Sequence, residues 1–271
     1  MSTISLAHKA VLGIDAAWTE HGASAVALAV LDGKKWKLVH IAPGYESFMS
    51  EAPGTVDWST KRQGKRPNAK DLLHRAEELA GTKPGVISLD MPIVPQGRVN
   101  GRRNADDAVS KEFGRYLCAV HSPTKDRPGG LGESLSHGFE QEGYRVAVSG
   151  DTCSNRDIVE VYPHATMVRL TCAKERLKYK VSKTKKYWPT LSLNDRAQKL
   201  SAAFQEILSA IRKVMVVPPK IFDLPPELTP PLSGLKAFED GLDALVCVWA
   251  GICFVEGKAD AFGDKTGTIW I

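Results

Sequence analysis

The hydrophobic and polar positions at the start of the chain predict three antiparallel strands. Apolar runs cover residues 10–16 and 24–31, and the Asp32-Gly33 dipeptide that follows is typical of a hairpin turn. Polar and apolar side chains then alternate over residues 35–42, which predicts a half-buried third strand. Later apolar runs predict strands at 85–92, 144–149 and 157–165.

Amphipathic segments between and after these strands predict helices. A helix at 68–80 would begin at the cap Asn68 and end at Gly81, and one at 194–213 would begin at the cap Asn194. Further helices are predicted at 104–119, 132–142 and 234–256. Proline, glycine and basic residues predict irregular segments at 43–66, 121–131, 171–190 and 216–231.

This mixture of strands and helices indicates the α/β class and one domain over residues 1–271, with 97–150 and 166–213 as insertions. The net charge of +5 permits a polyanionic partner without requiring one. The five cysteines are odd in number and form no CxxC pair, which argues against a disulfide framework or a zinc site and favours a cytoplasmic protein. The longest apolar segment, residues 241–255, is too short to span a bilayer, so no membrane association is expected.

Five acidic residues stand out against the apolar pattern. Asp15 and Asp90 end apolar strands, and Glu160 lies in the middle of another. Asp240 and Asp243 are spaced i, i+3 near the start of the apolar last helix and therefore share one face. If that helix start lies over the strand ends, the carboxylates converge. Converging carboxylates without matching cationic side chains are typical of Mg²⁺ or Mn²⁺ sites, and two such ions about 3.5–4 Å apart can promote phosphodiester hydrolysis.

Each acid also has a structural explanation. Asp15 would then cap a turn or pair with an arginine, and Asp90 would open a turn. Glu160 would pair with a lysine or arginine of the basic region. Asp240 and Asp243 would be helix-start acids that the helix dipole favours. We prefer the metal-ligand interpretation because the combination of five acids is more specific than any one of them.

Basic and aromatic residues are interleaved over residues 171–190. Lysines neutralise phosphates and aromatic rings stack on bases, although such runs are more often solvated surface. Contacts with nucleic acid are predicted for Lys178, Lys180, Lys183 and Lys185, with Tyr179, Tyr187 and Trp188 between and after them. A second basic cluster with the same two interpretations comprises Lys61, Arg62, Lys65 and Arg66.

Two further residues are candidates for substrate contacts. His164, which follows Pro163, would either move a proton near the metal ions or make a structural hydrogen bond at a helix start, and the second is preferred. Arg103 would either contact a phosphate or pair with Asp106 at i, i+3, and the ion pair is preferred.

The order of these motifs resembles the RNase H-like pattern. More closely, the segments GIDAAW, SLDMPI, GRRNADD, EVYPHA, YKVSKTKKYWP and EDGLDALVCVWAG resemble a family of predicted RNase H-like nucleases, catalogued as a domain of unknown function (DUF 429), over nearly the whole chain. The resemblance implies a mixed sheet of three antiparallel strands followed by parallel strands, flanked by helices. It implies metal ligands at Asp15, Asp90, Asp240 and Asp243, whereas Glu160 departs from the usual ligand pattern.

The sequence therefore predicts a nuclease that uses two Mg²⁺ or Mn²⁺ ions, held by the clustered carboxylates, to cleave DNA or RNA. The alternative is a non-catalytic module of the same fold that binds nucleic acid or a protein partner. A phosphoryl-transfer enzyme of the actin and sugar-kinase type ranks third, because the sequence shows no glycine-rich phosphate loop and no second related half.

Overall fold

In the part of the chain that the structure describes, eight strands form one mixed sheet. The structure is a computed structural model that describes residues 9–60, 62–225 and 231–271. The strands are β1 (Ala10–Asp15), β2 (Ala25–Asp32), β3 (Lys35–Ala42), β4 (Val86–Leu89), β5 (Arg145–Val146), β6 (Asp157–Val161), β7 (Ala261–Asp264) and β8 (Gly267–Trp270). The helices are α1 (Tyr45–Ser50), α2 (Ala69–Ala80), α3 (Asn104–Phe113), α4 (Leu131–Gln141), α5 (Pro163–Thr171), α6 (Thr184–Tyr187), α7 (Leu193–Val214) and α8 (Lys236–Val255).

The strand order β3-β2-β1-β4-β6-β8-β7 divides the sheet into an antiparallel and a parallel part. Strands β1, β2 and β3 pair antiparallel, and β4, β6 and β8 continue the sheet in parallel from β1. Strand β7 is antiparallel to β8, and the short β5 pairs in parallel with the start of β6. The carboxyl ends of β1, β4 and β6 therefore lie side by side at one end of the sheet.

The β2–β3 hairpin forms as the sequence pattern predicts. Gly33 has a φ of 62°, the left-handed conformation that this type of turn requires. Strand β3 runs over the predicted residues, with Trp36 and Leu38 buried while Lys35 and Lys37 are exposed. Helix α2 is likewise confirmed, since the side chain of Asn68 caps its start and Gly81 ends it.

Helices cover both faces of the sheet, and consecutive residues of β1 point to opposite cores. Val11 packs in a core formed with α7 and α8, which includes Phe204 and Leu245. Leu12 packs in the other core, formed with α1, α2 and α4. The described residues contain no helix that combines the length and the apolar character needed to cross a bilayer.

Helix α8 lies against β1 at a distance that only glycine permits. A Cβ atom at Gly13 would lie 2.5 Å from the backbone nitrogen of Val248 and 2.7 Å from the oxygen of Ala244. Further along the helix, a Cβ atom at Gly251 would lie 2.6 Å from the side chain of Val11. These contacts fix the helix over the strand and bring its start to the carboxyl end of β1.

The structure corrects the predicted end of the strand at 157–165 and the predicted cap of the helix at 194–213. The predicted strand at 157–165 ends at Val161, because Pro163 opens helix α5 at a position where its missing N–H costs no hydrogen bond. Helix α7 is capped by Ser192, whose side chain accepts a hydrogen bond from the nitrogen of Asp195, and not by Asn194. The serine lies just before the first helical residue, where a cap must lie.

Other elements escaped the sequence pattern altogether. Helix α1 lies within the segment predicted as a loop at 43–66, and the hairpin of β7 and β8 follows α8, where no strand was predicted. Strand β8 is four residues long and every one of them is buried, so it shows no alternation that could reveal it. Residues 226–230 of the loop predicted at 216–231 lie outside the described residues, and so does Lys61 of the second basic cluster.

Candidate metal centre

The ends of two neighbouring strands position the first two acids. Asp15 is the last residue of β1, and Asp90 directly follows the last residue of β4. Ile14 and Leu89 are partners in the parallel ladder, and the nitrogen of Asp90 donates to the oxygen of Ile14 at 2.9 Å. Both carboxylates therefore extend from the same end of the sheet.

The second turn of α8 brings two more acids to this point. Asp240 and Asp243 are both buried, and they lie on the helix face that the contacts at Gly13 press onto β1. One oxygen each from Asp15, Asp240 and Asp243 lies within 4.8 Å of the other two. Three carboxylates at this spacing form a cluster of hard oxygen donors that could hold a metal ion.

The crowding of the carboxylates opposes their ionisation. Burial, together with the charges of Asp243 and Asp240, raises the pKa of Asp15 well above its usual value. Burial and the charge of Asp243 raise the pKa of Asp90 to about 8, and burial raises the pKa of Asp240 to about 6. A divalent cation would relieve this repulsion, so the electrostatics fit a cation site.

Two lysines also contact the cluster, which contradicts the expectation that the acids have no cationic partners. The ammonium of Lys180 binds Asp243 and lies 3.3 Å from Glu239. The ammonium of Lys236 binds Asp240 and lies 2.8 Å from Glu239. These charges outweigh the effect of burial and lower the pKa of Glu239. The cluster thus has cations of its own, and no cation reaches Asp15 or Asp90 among the described ion pairs.

A chain of hydrogen bonds holds the carboxylate of Asp243 in position. The hydroxyl of Tyr179 donates to Asp243 Oδ1 at 2.6 Å, and Nδ1 of His164 lies 3.2 Å from that hydroxyl. Arg176 contacts Nε2 of His164, and because a guanidinium can only donate, Nε2 accepts and Nδ1 carries the proton. Burial and the charges of Lys180 and Arg176 lower the pKa of His164 well below its usual value, so the ring is neutral. His164 is the second residue of helix α5 and is hydrogen-bonded there, which agrees with its preferred structural interpretation.

Glu160 lies at the same end of the sheet but is held elsewhere. It is the ladder partner of Leu89, yet both of its oxygens bind the guanidinium of Arg103, at 2.5 and 2.6 Å. The backbone nitrogen of Ile93 donates to the same carboxylate at 2.9 Å. Arg103 also pairs with Asp106 at 2.8 Å, as predicted. The structure therefore binds the carboxylate of Glu160 to Arg103 and not to the clustered acids, although its charge contributes to the raised pKa of Asp90. Its partner is not in the basic segment.

The lysines predicted to contact nucleic acid lie in four different environments. Lys178 is exposed and pairs with Glu175 at 3.2 Å, Lys180 is directed at the acids, Lys183 is partly buried and Lys185 is exposed. Tyr179 is fully buried, so it is not a surface for stacking bases. That part of the basic, aromatic pattern is structural.

Cavities open on both sides of the acids. One of about 470 Å³ is lined by Asp15, Asp90 and Lys180, and another of about 750 Å³ is lined by Asp15, Lys180 and Asp240. Both share Trp18 and Arg127 with a third cavity of about 900 Å³. Sequence reasoning did not identify Trp18 and Arg127 as residues of the site. Trp18 directly continues an apolar run, and Arg127 lies in a loop without a motif.

The fold and this centre define an α/β protein with a carboxylate cluster that could hold a metal ion. Residues 146–267 match a family described as "Protein of unknown function (DUF429)". The match covers less than half of the chain, and it includes Asp240 and Asp243 but neither of the acids at the strand ends. No curated protein and no solved structure matches the chain.

Proposed function

We propose that this chain is a nuclease that uses a divalent metal ion, Mg²⁺ or Mn²⁺, to hydrolyse phosphodiester bonds of DNA or RNA. The observation that carries the proposal is the convergence of Asp15, Asp240 and Asp243, whose ligand oxygens lie within 4.8 Å of one another. Mg²⁺ and Mn²⁺ prefer such hard oxygen donors. Asp90, at the end of the neighbouring strand, would complete the ligand set.

The sheet supports an RNase H-like assignment as part of this proposal. Strands β3, β2 and β1 are antiparallel and β4 and β6 continue in parallel, which is the order that the sequence resemblance implies. The acids follow the first and fourth strands and lie on the last helix, as the same resemblance implies. Since a fold does not determine a function, the functional argument rests on the carboxylates.

The residues around the acids would orient the ligands. A bound divalent ion would supply a Lewis acid that polarises a phosphodiester group and favours attack by water. Tyr179 holds one oxygen of Asp243, and His164 and Arg176 hold Tyr179 in turn. Because both nitrogens of His164 are engaged in this chain, His164 acts as a positioning residue in the proposal and not as a proton shuttle.

Substrate would reach the acids through the flanking cavities. Arg127 is exposed and lines all three cavities, so its guanidinium can bind a phosphate next to the acids. Trp18 lines the same cavities and offers an indole ring on which a base can stack. Lys183 and Lys185 would extend the phosphate contacts along the surface.

The two lysines in the cluster favour a second candidate function. If the ammonium groups of Lys180 and Lys236 suffice to compensate the acids, the chain needs no metal ion and is a non-catalytic module that binds nucleic acid. Such a module would bind more weakly at high salt, because phosphate contacts release counterions. Its binding would not change in Asp15→Asn, since this residue would hold nothing.

Calorimetric titration of Mn²⁺ distinguishes the two functions without a choice of substrate. We expect the wild type to bind Mn²⁺ and Asp15→Asn to bind it at least about tenfold more weakly, which corresponds to about 1.4 kcal/mol. Asp32→Asn is the matched control, because Asp32 is exposed in the β2–β3 turn and should leave binding unchanged. No Mn²⁺ binding by the wild type, or equal binding by Asp15→Asn, would contradict the proposal.

Cleavage assays then test the reaction itself. Single- and double-stranded DNA and RNA would be incubated with the wild type and Asp15→Asn in Mn²⁺. We expect cleavage of at least one substrate by the wild type and a loss of at least about a hundredfold in the variant, the order of effect of removing one electrostatic catalytic group. Salt-sensitive binding without cleavage, equal in both proteins, would identify the binding module.

A further inference from the structure

The ammonium of Lys180 binds Asp243, one of the three clustered carboxylates, and lies 3.3 Å from Glu239. We propose that the ammonium of Lys180 replaces a second metal ion, so that the centre holds one divalent ion and not the two predicted from the sequence. This inference rests on the proposed function and specifies its cofactor and one further residue of its site.

The contacts of Asp243 carry the argument. Its Oδ2 binds the ammonium of Lys180, and its Oδ1 accepts the hydroxyl hydrogen bond of Tyr179 at 2.6 Å. Two metal ions about 3.5–4 Å apart lie close enough to share a carboxylate ligand. Each carboxylate oxygen has a second lone pair, so Asp243 can still bind a single ion, whereas a second ion that shared this carboxylate would have to compete with the ammonium or the hydroxyl.

The chain around Lys180 is fixed to the same acids. Tyr179 is fully buried and bound to Asp243, and the backbone nitrogen of Val181 donates to Glu239 Oε2 at 2.6 Å. Both neighbours of Lys180 are thus attached to acids of α8, and the ammonium between them has little freedom to leave. Three consecutive residues bound to one helix face indicate a built position for the charge.

Lys236 differs in this respect although it carries the same charge. Its side chain is 50% exposed, against 20% for Lys180, and it pairs with acids three and four residues further along its own helix. Such pairs are ordinary features of a helix surface. Lys180 also lines both cavities that flank the acids, whereas Lys236 lines one of them.

The acids that remain suit a single ion. None of the described side-chain hydrogen bonds and ion pairs involves the carboxylate of Asp15 or Asp90, and these two acids extend from adjacent strand ends, where Asp15 lies beside Asp240 and Asp243. An ion held there would lie beside the fixed ammonium. A phosphate that entered from either cavity could then meet two cations, one of them the side chain of Lys180.

The number of bound Mn²⁺ ions tests this inference with Mn²⁺ alone as the probe. By calorimetry and electron paramagnetic resonance, we expect one isolated Mn²⁺ per chain in the wild type. Lys180→Gln should bind two ions per chain and show the spin coupling of a neighbouring Mn²⁺ pair. Lys236→Gln removes the same charge from the rim of the cluster, and we expect it to bind one ion, as the wild type does.

Each other result has a distinct meaning. A coupled pair in the wild type would overturn the inference and leave the nuclease proposal in place. One ion in Lys180→Gln, or two ions in Lys236→Gln as well, would show that Lys180 does not specifically replace a metal ion. No Mn²⁺ binding in the wild type would overturn the proposed function and the inference together. Should Lys180→Gln fail to fold, the spectrum of the wild type in excess Mn²⁺ decides, because only a coupled pair contradicts a single ion.

Discussion

Glu160 and Asp15 occupy similar places in the sequence pattern but opposite environments in the fold. Each is an acid in or at the end of an apolar strand, and the two lie at the same end of the sheet. A buried carboxylate needs a partner. Glu160 has the guanidinium of Arg103, whereas Asp15 faces Asp240 and Asp243. The strand pattern cannot distinguish these cases, because Arg103 lies 57 residues from its partner in the chain.

The variant Glu160→Gln tests whether Glu160 is a structural residue. Removal of one charge from this buried pair should lower the free energy of unfolding by about 2–4 kcal/mol, since Asp106 is then the remaining ion-pair partner of Arg103. Mn²⁺ affinity should fall far less than in Asp15→Asn, because Glu160 is bound to Arg103, is not among the clustered acids and acts on Asp90 only through its charge. Denaturant unfolding and calorimetry measure the two effects.

Glu133→Gln is the matched control for that variant. Glu133 also pairs with an arginine, Arg98, at 2.9 Å, but the side chains are 39% and 45% exposed. Loss of this surface pair should cost less than about 1 kcal/mol. If Glu160→Gln abolished Mn²⁺ binding while the protein stayed folded, Glu160 would instead belong to the metal centre, as the sequence pattern suggested.

At the scale of elements, the centre depends on how closely α8 approaches β1. Gly13 lies two residues before Asp15, and the helix segment that it contacts begins at Ala244, directly after Asp243. The distance between the strand acid and the helix acids is therefore set by a glycine contact. Gly251 makes a similar contact two turns further along the helix, away from the acids.

Gly13→Ala should consequently separate the acids. The added methyl group would push the helix from the strand, lower the free energy of unfolding by about 1–3 kcal/mol, and weaken Mn²⁺ binding by about tenfold. Gly251→Ala should destabilise the fold by a similar amount but weaken Mn²⁺ binding by less than about threefold. Equal losses of affinity in the two variants would mean that the centre responds to overall stability and not to this contact.

The same scale explains what the sequence could predict. Strand β3 and helix α2 were predicted well because local signals mark them, namely the turn at Gly33 and the caps Asn68 and Gly81. Asp15 and Asp90 were found because they end apolar strands, and Asp240 and Asp243 because their i, i+3 spacing places them on one face of the last helix. The place of Lys180 had no such signal, since its contact with Asp243 joins residues 63 positions apart. Strand β8 was missed because it is short and buried throughout.

At the scale of the whole molecule, buried acids and a buried histidine make the free energy of unfolding depend on pH in opposite directions. The acids of the centre have raised pKa values, so the folded state takes up protons at a higher pH than the unfolded chain does. His40 lies in the core, and burial lowers its pKa to about 4. The stabilisation of the fold by the neutral imidazole of His40 is complete above about pH 6.5. It is lost as the pH falls towards about 4, because the unfolded chain binds the proton more readily. Stability should therefore be greatest at weakly acidic pH.

His40 contributes little to the slope above about pH 6.5, because its imidazole is mostly neutral there in both the folded and the unfolded state. The pKa of Asp90 falls from about 8 in the fold to about 3.9 on unfolding, so its ionisation penalises the fold most above pH 8. Without metal, the free energy of unfolding should rise by about 2 kcal/mol as the pH falls from about 8.5 to about 6.5. Denaturant unfolding at several pH values measures this slope.

Asp90→Asn and Mn²⁺ should each reduce that slope, for related reasons. The amide cannot ionise, and a bound cation compensates the charge that protons would otherwise neutralise. We therefore expect a shallower profile in Asp90→Asn than in the wild type, and a larger stabilisation of the wild type by Mn²⁺ at about pH 8.5 than at about pH 6.5. Asp32→Asn should keep the slope of the wild type. If the free energy of unfolding of the metal-free wild type instead stayed constant or fell as the pH was lowered from about 8.5 to about 6.5, the acids would already be compensated by Lys180 and Lys236. No cation would then be needed to hold the end of the sheet together.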